Sequence, residues 1–213
     1  MTIERRSFLG RMSLGLLGLV GAPRIAGAAA TGERHLAPRE PWLAGLTGRH
    51  KQFLDVAANN QGAPLGRAGN FLNAYGQAYG LKDGDLNVVF CAHGTGLALV
   101  LGDELWSKYR LGTQYAINDP QTKSPATRNI FAGSGISYEP SVAALQKRGV
   151  RFVACMQSIA RLSRDLAARD SQESPPINQA LLAGLLPGVT PVPAAIVAAN
   201  RAQESGLTYV YIG

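Results

Sequence analysis

Apolar positions recur with two periods along residues 66–213, and their alternation predicts strands interleaved with helices. Residues 86–91, LNVVFC, form a near-continuous apolar run of the kind buried on both faces of a parallel sheet. A second short run, Val150 with Phe152, Val153 and Ala154, ends at Cys155, and Ile159, Leu162 and Leu166 then follow at helical spacing. Residues 207–212, LTYVYI, predict a closing strand. Helices are predicted over 66–79, where Phe71, Leu72, Tyr75 and Tyr79 share a face, and over 97–109, where Leu97, Leu101, Leu105 and Tyr109 do. Further helices fall at 139–148, with Pro140 in the first turn, and at 156–168, 177–186 and 194–204. Residues 189–193 are too rich in proline for a central strand and suit a short extended segment. The order predicts an α/β fold, a mostly parallel sheet with helices on both faces in three layers.

Two stretches resist this pattern. Residues 31–65 are punctuated by Pro38, Pro41, Gly45, Gly48 and Gly62, and only 48–58 looks helical. They read as an extension packed over the 66–213 domain or over a neighbouring subunit. Residues 110–138 are rich in Gly, Pro, Ser, Thr and Asn, and so long an irregular connection in a compact domain points to a lid or a subunit contact.

The first thirty residues differ from the rest. Arg5-Arg6 precede an uncharged run at 12–23 and the small residues of 26–30, a pattern that looks like a twin-arginine signal peptide cleaved near 28–30. The run is shorter than the about 20 residues of a spanning helix, so the chain is expected in the periplasm and membrane-anchored only if the signal is retained. Charge changes the picture little. The formal balance is +7, and residues 1–30 hold four arginines against one glutamate, which leaves 17 basic and 13 acidic residues beyond them, or +4. With no clustered basic footprint and no motif, nucleic acid is not an expected partner.

Candidate chemistry centres on Cys155. A cysteine between a strand and a helix lies at the carboxyl edge of the sheet, near free amides that favour a thiolate. The alternative is a small buried residue, the usual fate of a free cysteine. The loop after the 86–91 strand, Ala92-His93-Gly94-Thr95-Gly96, has two glycines of a dinucleotide fingerprint but Leu99 in place of the third, so no cofactor is assigned. Gly133-Ser134-Gly135 lacks the nucleophile elbow G-x-S-x-G. His35, His50 and His93 share no ligand spacing, so no metal is assigned. Cys91 and Cys155 lack the C-x-x-C arrangement of disulfide oxidoreductases. Bridging them would close a loop of about 65 residues, stabilising the fold by roughly 4 kcal/mol, and Cys91 is therefore a possible disulfide or redox partner.

Four groups of residues, in this order and spacing, resemble the DsrE-like family, also called the DsrE/DsrF group. They are Asn87-Val88-Val89-Phe90 with His93-Gly94; Gly149-Val150 with Ala154-Cys155 and Ser158; Leu186-Pro187-Gly188-Val189; and Gln203-Glu204-Ser205-Gly206-Leu207-Thr208-Tyr209. The resemblance spans about residues 81–213. It implies a flavodoxin-like sheet, trimers or hexamers, and sulfur relay through a cysteine persulfide. Cys155 matches the position of that cysteine, with His93 its polariser and Gly94, Thr95, Gln157 and Ser158 as substrate-binding neighbours. The expected function is sulfur handling by an exported protein whose partner is a small sulfur compound or another protein. The alternative is a non-enzymatic oligomeric module that binds a small ligand at the strand ends, its cysteines structural.

Overall fold

The computed structural model describes residues 40–133 and 139–213. The signal-like segment 1–30, the histidine at 35 and the serine of the Gly133-Ser134-Gly135 triplet lie outside them. Five strands, β1 (His50–Val56), β2 (Leu86–Ala92), β3 (Arg151–Cys155), β4 (Val189–Val192) and β5 (Thr208–Ile212), form one sheet in the order β4-β3-β2-β1-β5. Every pairing is parallel, so the predicted three-layer α/β/α fold is the observed one.

The layers are unequal. Alternate strand residues, among them Leu54, Val88, Phe90 and Phe152, face α1 (Ala63–Tyr79), α4 (Val142–Lys147), α5 (Met156–Asp170) and α6 (Ser174–Ala183). The intervening residues, Phe53, Val89, Cys91, Val153 and Cys155, face only α7 (Ala195–Glu204) and the segment around Trp42 and Leu46. Chain direction explains the imbalance. Successive right-handed crossovers from β1 to β4 step the same way and put their helices on one face, whereas the return from β4 to β5 steps back across the sheet and puts α7 on the other.

Residues 48–58, read as helical, instead contain β1, which lies between β2 and β5. The α/β domain therefore begins before residue 66, and the described part of the 31–65 extension is built into it. Polar residues masked the strand, and each is satisfied in place. Gln52 donates from Nε2 to the carbonyls of Phe53 and Thr208, both at 3.0 Å, and Asp55 is held by residues of β5 and of the β2 loop.

The helix predicted over 97–109 is broken. A 3-10 segment covers Gly94–Val100, Leu101 bridges to Leu185, and a short helix, α2 (Asp103–Lys108), follows. Asn129 fixes the break by donating Nδ2 to the carbonyls of Leu99 (3.0 Å) and Leu101 (2.8 Å). Part of the 110–138 connection thus serves as an internal clamp, and it also carries the single-turn helix α3 (Leu111–Gln114). The helix expected from 139 starts later, at Val142, where Ser141 Oγ accepts the Ala144 N–H at 3.2 Å.

Candidate functional site

Cys155 ends β3 and caps α5. Its Sγ accepts two backbone N–H groups, from Ser158 in the first turn of α5 at 3.4 Å and from Ala195 at the start of α7 at 3.3 Å. The sulfur therefore sits at two helix N-termini at once, where unpaired amides and both dipoles stabilise negative charge. It is 4% exposed, beneath the first turn of α7. Around that turn the apolar side chains of Met156, Ile196 and Val197 are exposed.

His93 lies one step beyond the last β2–β3 pair, Ala92 with Ala154, which sets it level with Cys155 on the neighbouring strand. Its side chain turns the other way, toward β1. His93 Nε2 lies 2.8 Å from Asp55 Oδ1, within ion-pair distance of the carboxylate. Tyr209 donates its hydroxyl to Asp55 Oδ2 at 2.6 Å. The sequence did not reveal the roles of Asp55 and Tyr209. Burial pushes the Asp55 carboxyl up, but His93 and the Tyr209 hydroxyl outweigh it and hold it below its ordinary value. The same carboxylate pushes the Tyr209 hydroxyl up to about 12.

The depressed Asp55 makes stability depend on pH. A carboxyl whose folded pKa lies below its unfolded value of about 3.9 stabilises the fold above that pH and loses the contribution as pH falls through the folded value. Asp55→Asn is expected to cost about 1–2 kcal/mol at pH 7, with the gap from wild type closing below about pH 4. Urea unfolding at pH 7 and pH 3 measures it, and an equal gap at both would show that charge at Asp55 contributes nothing.

Cys91 lies in mid-strand between β1 and β3, fully buried, and both cysteines are free thiols. Burial raises its thiol far above the ordinary range, and the charge on Asp55, its partner across the β1 ladder, adds to this. Cys91 pairs with Val153, so Cys155 is two residues further along. One strand spacing across and two rises along put the Cα atoms about 8 Å apart, beyond the roughly 7 Å that a disulfide spans without backbone movement. The expectation of Cys91 as a disulfide partner is therefore corrected.

A cleft of about 550 Å³ opens at the carboxyl end of the sheet on the α5 side. It brings together His93, Gly94, Thr95 and Ser158 of the predicted set. Cys155 does not line it and packs with the cluster under α7, while Gln157 is exposed outside it. Gln114, Tyr115, Arg161 and Asp165 also line it, and no local motif marks them because they come from the end of α3 and from the second and third turns of α5. Ser158 links the two places: its N–H points to Cys155 Sγ, and its Oγ accepts the Gly94 N–H at 3.1 Å. Among the described residues no group of three or more His, Cys, Asp or Glu side chains is placed to hold a metal, and no helix is long and apolar enough to cross a membrane.

Fold and site together define an open, all-parallel α/β protein with its candidate chemistry at the strand ends. No family model matches the sequence, and no curated protein does. Among solved structures the chain is similar to a protein of unknown function, MTH1491 from Methanobacterium thermoautotrophicum, at 15% identity, covering 76% of this chain and 99% of that one with a TM-score of 0.42.

Proposed function

We propose that the protein handles sulfur through Cys155, in the manner of the DsrE-like proteins it resembles, as an exported carrier. The observation that carries this reading is the pair of helix N-terminal amides on Sγ, since the attacking species in sulfur transfer is the thiolate. Cys155 thiolate attacks the outer sulfur of a persulfide or polysulfide donor, R–S–SH. A new Sγ–S bond forms, the donor S–S bond breaks, and RS⁻ leaves with the electron pair. Sulfur changes hands with no net oxidation. Delivery requires the first turn of α7 to lift from the sulfur, and the exposed Met156, Ile196 and Val197 around it suit a donor presented on an apolar surface. The Asp55–His93 pair, level with the sulfur, supplies a proton acceptor and donor at the sheet edge.

Exposure of the full chain to polysulfide followed by mass spectrometry is expected to add sulfane sulfur at Cys155, and Cys155→Ser should abolish the adduct. An adduct confined to Cys91, or none on a chain whose Cys155 alkylates, would overturn the reading. The family resemblance extends to a homo-oligomer, supported by the exposed Tyr209, Val210 and Tyr211 on the edge strand β5; sedimentation at the mass of one chain would remove that part.

The burial of both thiols favours a second reading, a ligand-binding module with structural cysteines. Under it, Cys155→Ser should fold, bind its ligand and lose nothing.

A further inference from the structure

We infer that the cleft beside α5 is a binding site for a metabolite-sized ligand bearing an oxyanion, with Arg161 as its cationic receptor and the side chains of Thr95, Gln114 and Ser158 as donors. The inference is independent of the chemistry at Cys155, which lies outside the cleft.

The donor character follows from what each side chain already accepts. Ser158 Oγ takes the Gly94 N–H at 3.1 Å, and Thr95 Oγ1 takes the Asn59 N–H at 3.2 Å. Gln114 Oε1 takes Arg169 Nη1 at 3.1 Å, which also fixes which end of that amide is oxygen. Each group has spent acceptor capacity on the protein and keeps a proton to give. All three can therefore donate to a ligand oxygen while holding their protein contacts. Arg161 is exposed at the wall and forms no ion pair among the described residues. A planar guanidinium matches two oxygens of an oxyanion.

Tyr115 adds a third hydroxyl. Burial and the Asp165 charge push it up to about 12, so it stays protonated and does not repel an anion. Asp165 is the opposing carboxylate of the cleft, and it selects for a ligand that carries a hydroxyl or amine some distance from the oxyanion. The volume, about 550 Å³, falls in the usual range of small-molecule sites, about 300–1,000 Å³, and leaves room for such a body against Leu162 and Ala57.

The probes are inorganic phosphate, sulfate and thiosulfate, titrated separately into the full chain while thermal unfolding and the tryptophan signal are followed. At least one is expected to give a saturable response. Arg161→Gln should weaken it about tenfold or more, as expected for loss of a charge-assisted bidentate contact. Gln114→Glu keeps the Arg169 partner and places a negative charge in the cleft, and it should abolish the response. Arg164→Gln, on the same helix but outside the cleft, should leave it intact. Preference for phosphate identifies a phosphate-bearing ligand, and preference for sulfate or thiosulfate a sulfur oxyanion. The inference falls if none of the three anions gives a saturable response, or if Arg161→Gln and Arg164→Gln respond alike. Cys155→Ser should bind anion as wild type does, so failure of sulfur loading and failure of this site are told apart.

Discussion

Replacing Gly96 with alanine is expected to destabilise the protein by about 3 kcal/mol, the upper end for overpacking a tight contact, and to lower its melting temperature by about 6–12 °C. A Cβ at Gly96 would stand 2.5 Å from the carbonyl oxygen of Val56 and 3.1 Å from Val56 Cγ1. That oxygen is the acceptor for the His93 N–H at 3.0 Å, and the Gly96 N–H itself bonds back to His93 and Ala57. The closest of these atoms is backbone, so a side-chain rotation cannot make the room. The strain must be relieved by moving the loop from the end of β1, which displaces His93 from Asp55 and Thr95 from Asn59. Gly66 is the matched control. It lies in α1 with nothing within 4 Å of its added Cβ, and Gly66→Ala should stabilise by about 0.5–1 kcal/mol through helix propensity. Calorimetry on the two variants measures both signs. A Gly96→Ala protein that melts with wild type would show that the loop is not anchored to β1.

That loop also marks how far the sequence could be read. The continuous runs of β2 and β3 announced themselves because strands covered on both faces need apolar residues at every position. Cys155 and His93 were legible for the same reason: each follows directly on such a run. β1 was not, since Gln52 and Asp55 break its pattern, and the partners that make them tolerable come from β5, more than 150 residues away. The broken helix after His93 failed similarly, its apolar periodicity overruled by Asn129 from the long connection. Local pattern reports burial well. It is silent about polar residues whose partners arrive only when β5 crosses back beside β1, and so the Asp55–Tyr209 contact had no signature.

Alkylation should separate the two cysteines sharply. With iodoacetamide at pH 7 on the native chain, Cys155 is expected to react at least about 100-fold faster than Cys91. The difference arises in what must open. Cys91 is held between two fully paired strands, and its ladder partners Asp55 and Val153 leave it only on global unfolding, at a cost in the range of about 5–15 kcal/mol for a typical domain. Cys155 stands at a strand end, and its cover is the first turn of one helix, held there by the Ala195 N–H and flanked by exposed Ile196 and Val197. Local openings of that kind cost much less than the global value. In the folded chain, burial and the Asp55 charge also hold the Cys91 thiol protonated. Peptide mapping over a time course gives both rates, and low denaturant supplies the decisive comparison: modification of Cys91 should accelerate with the global unfolding slope, and that of Cys155 with a much shallower one. Equal rates with equal slopes would make Cys155 a core thiol, overturning the proposed sulfur-carrier role while leaving the proposed oxyanion site on the α5 side untouched.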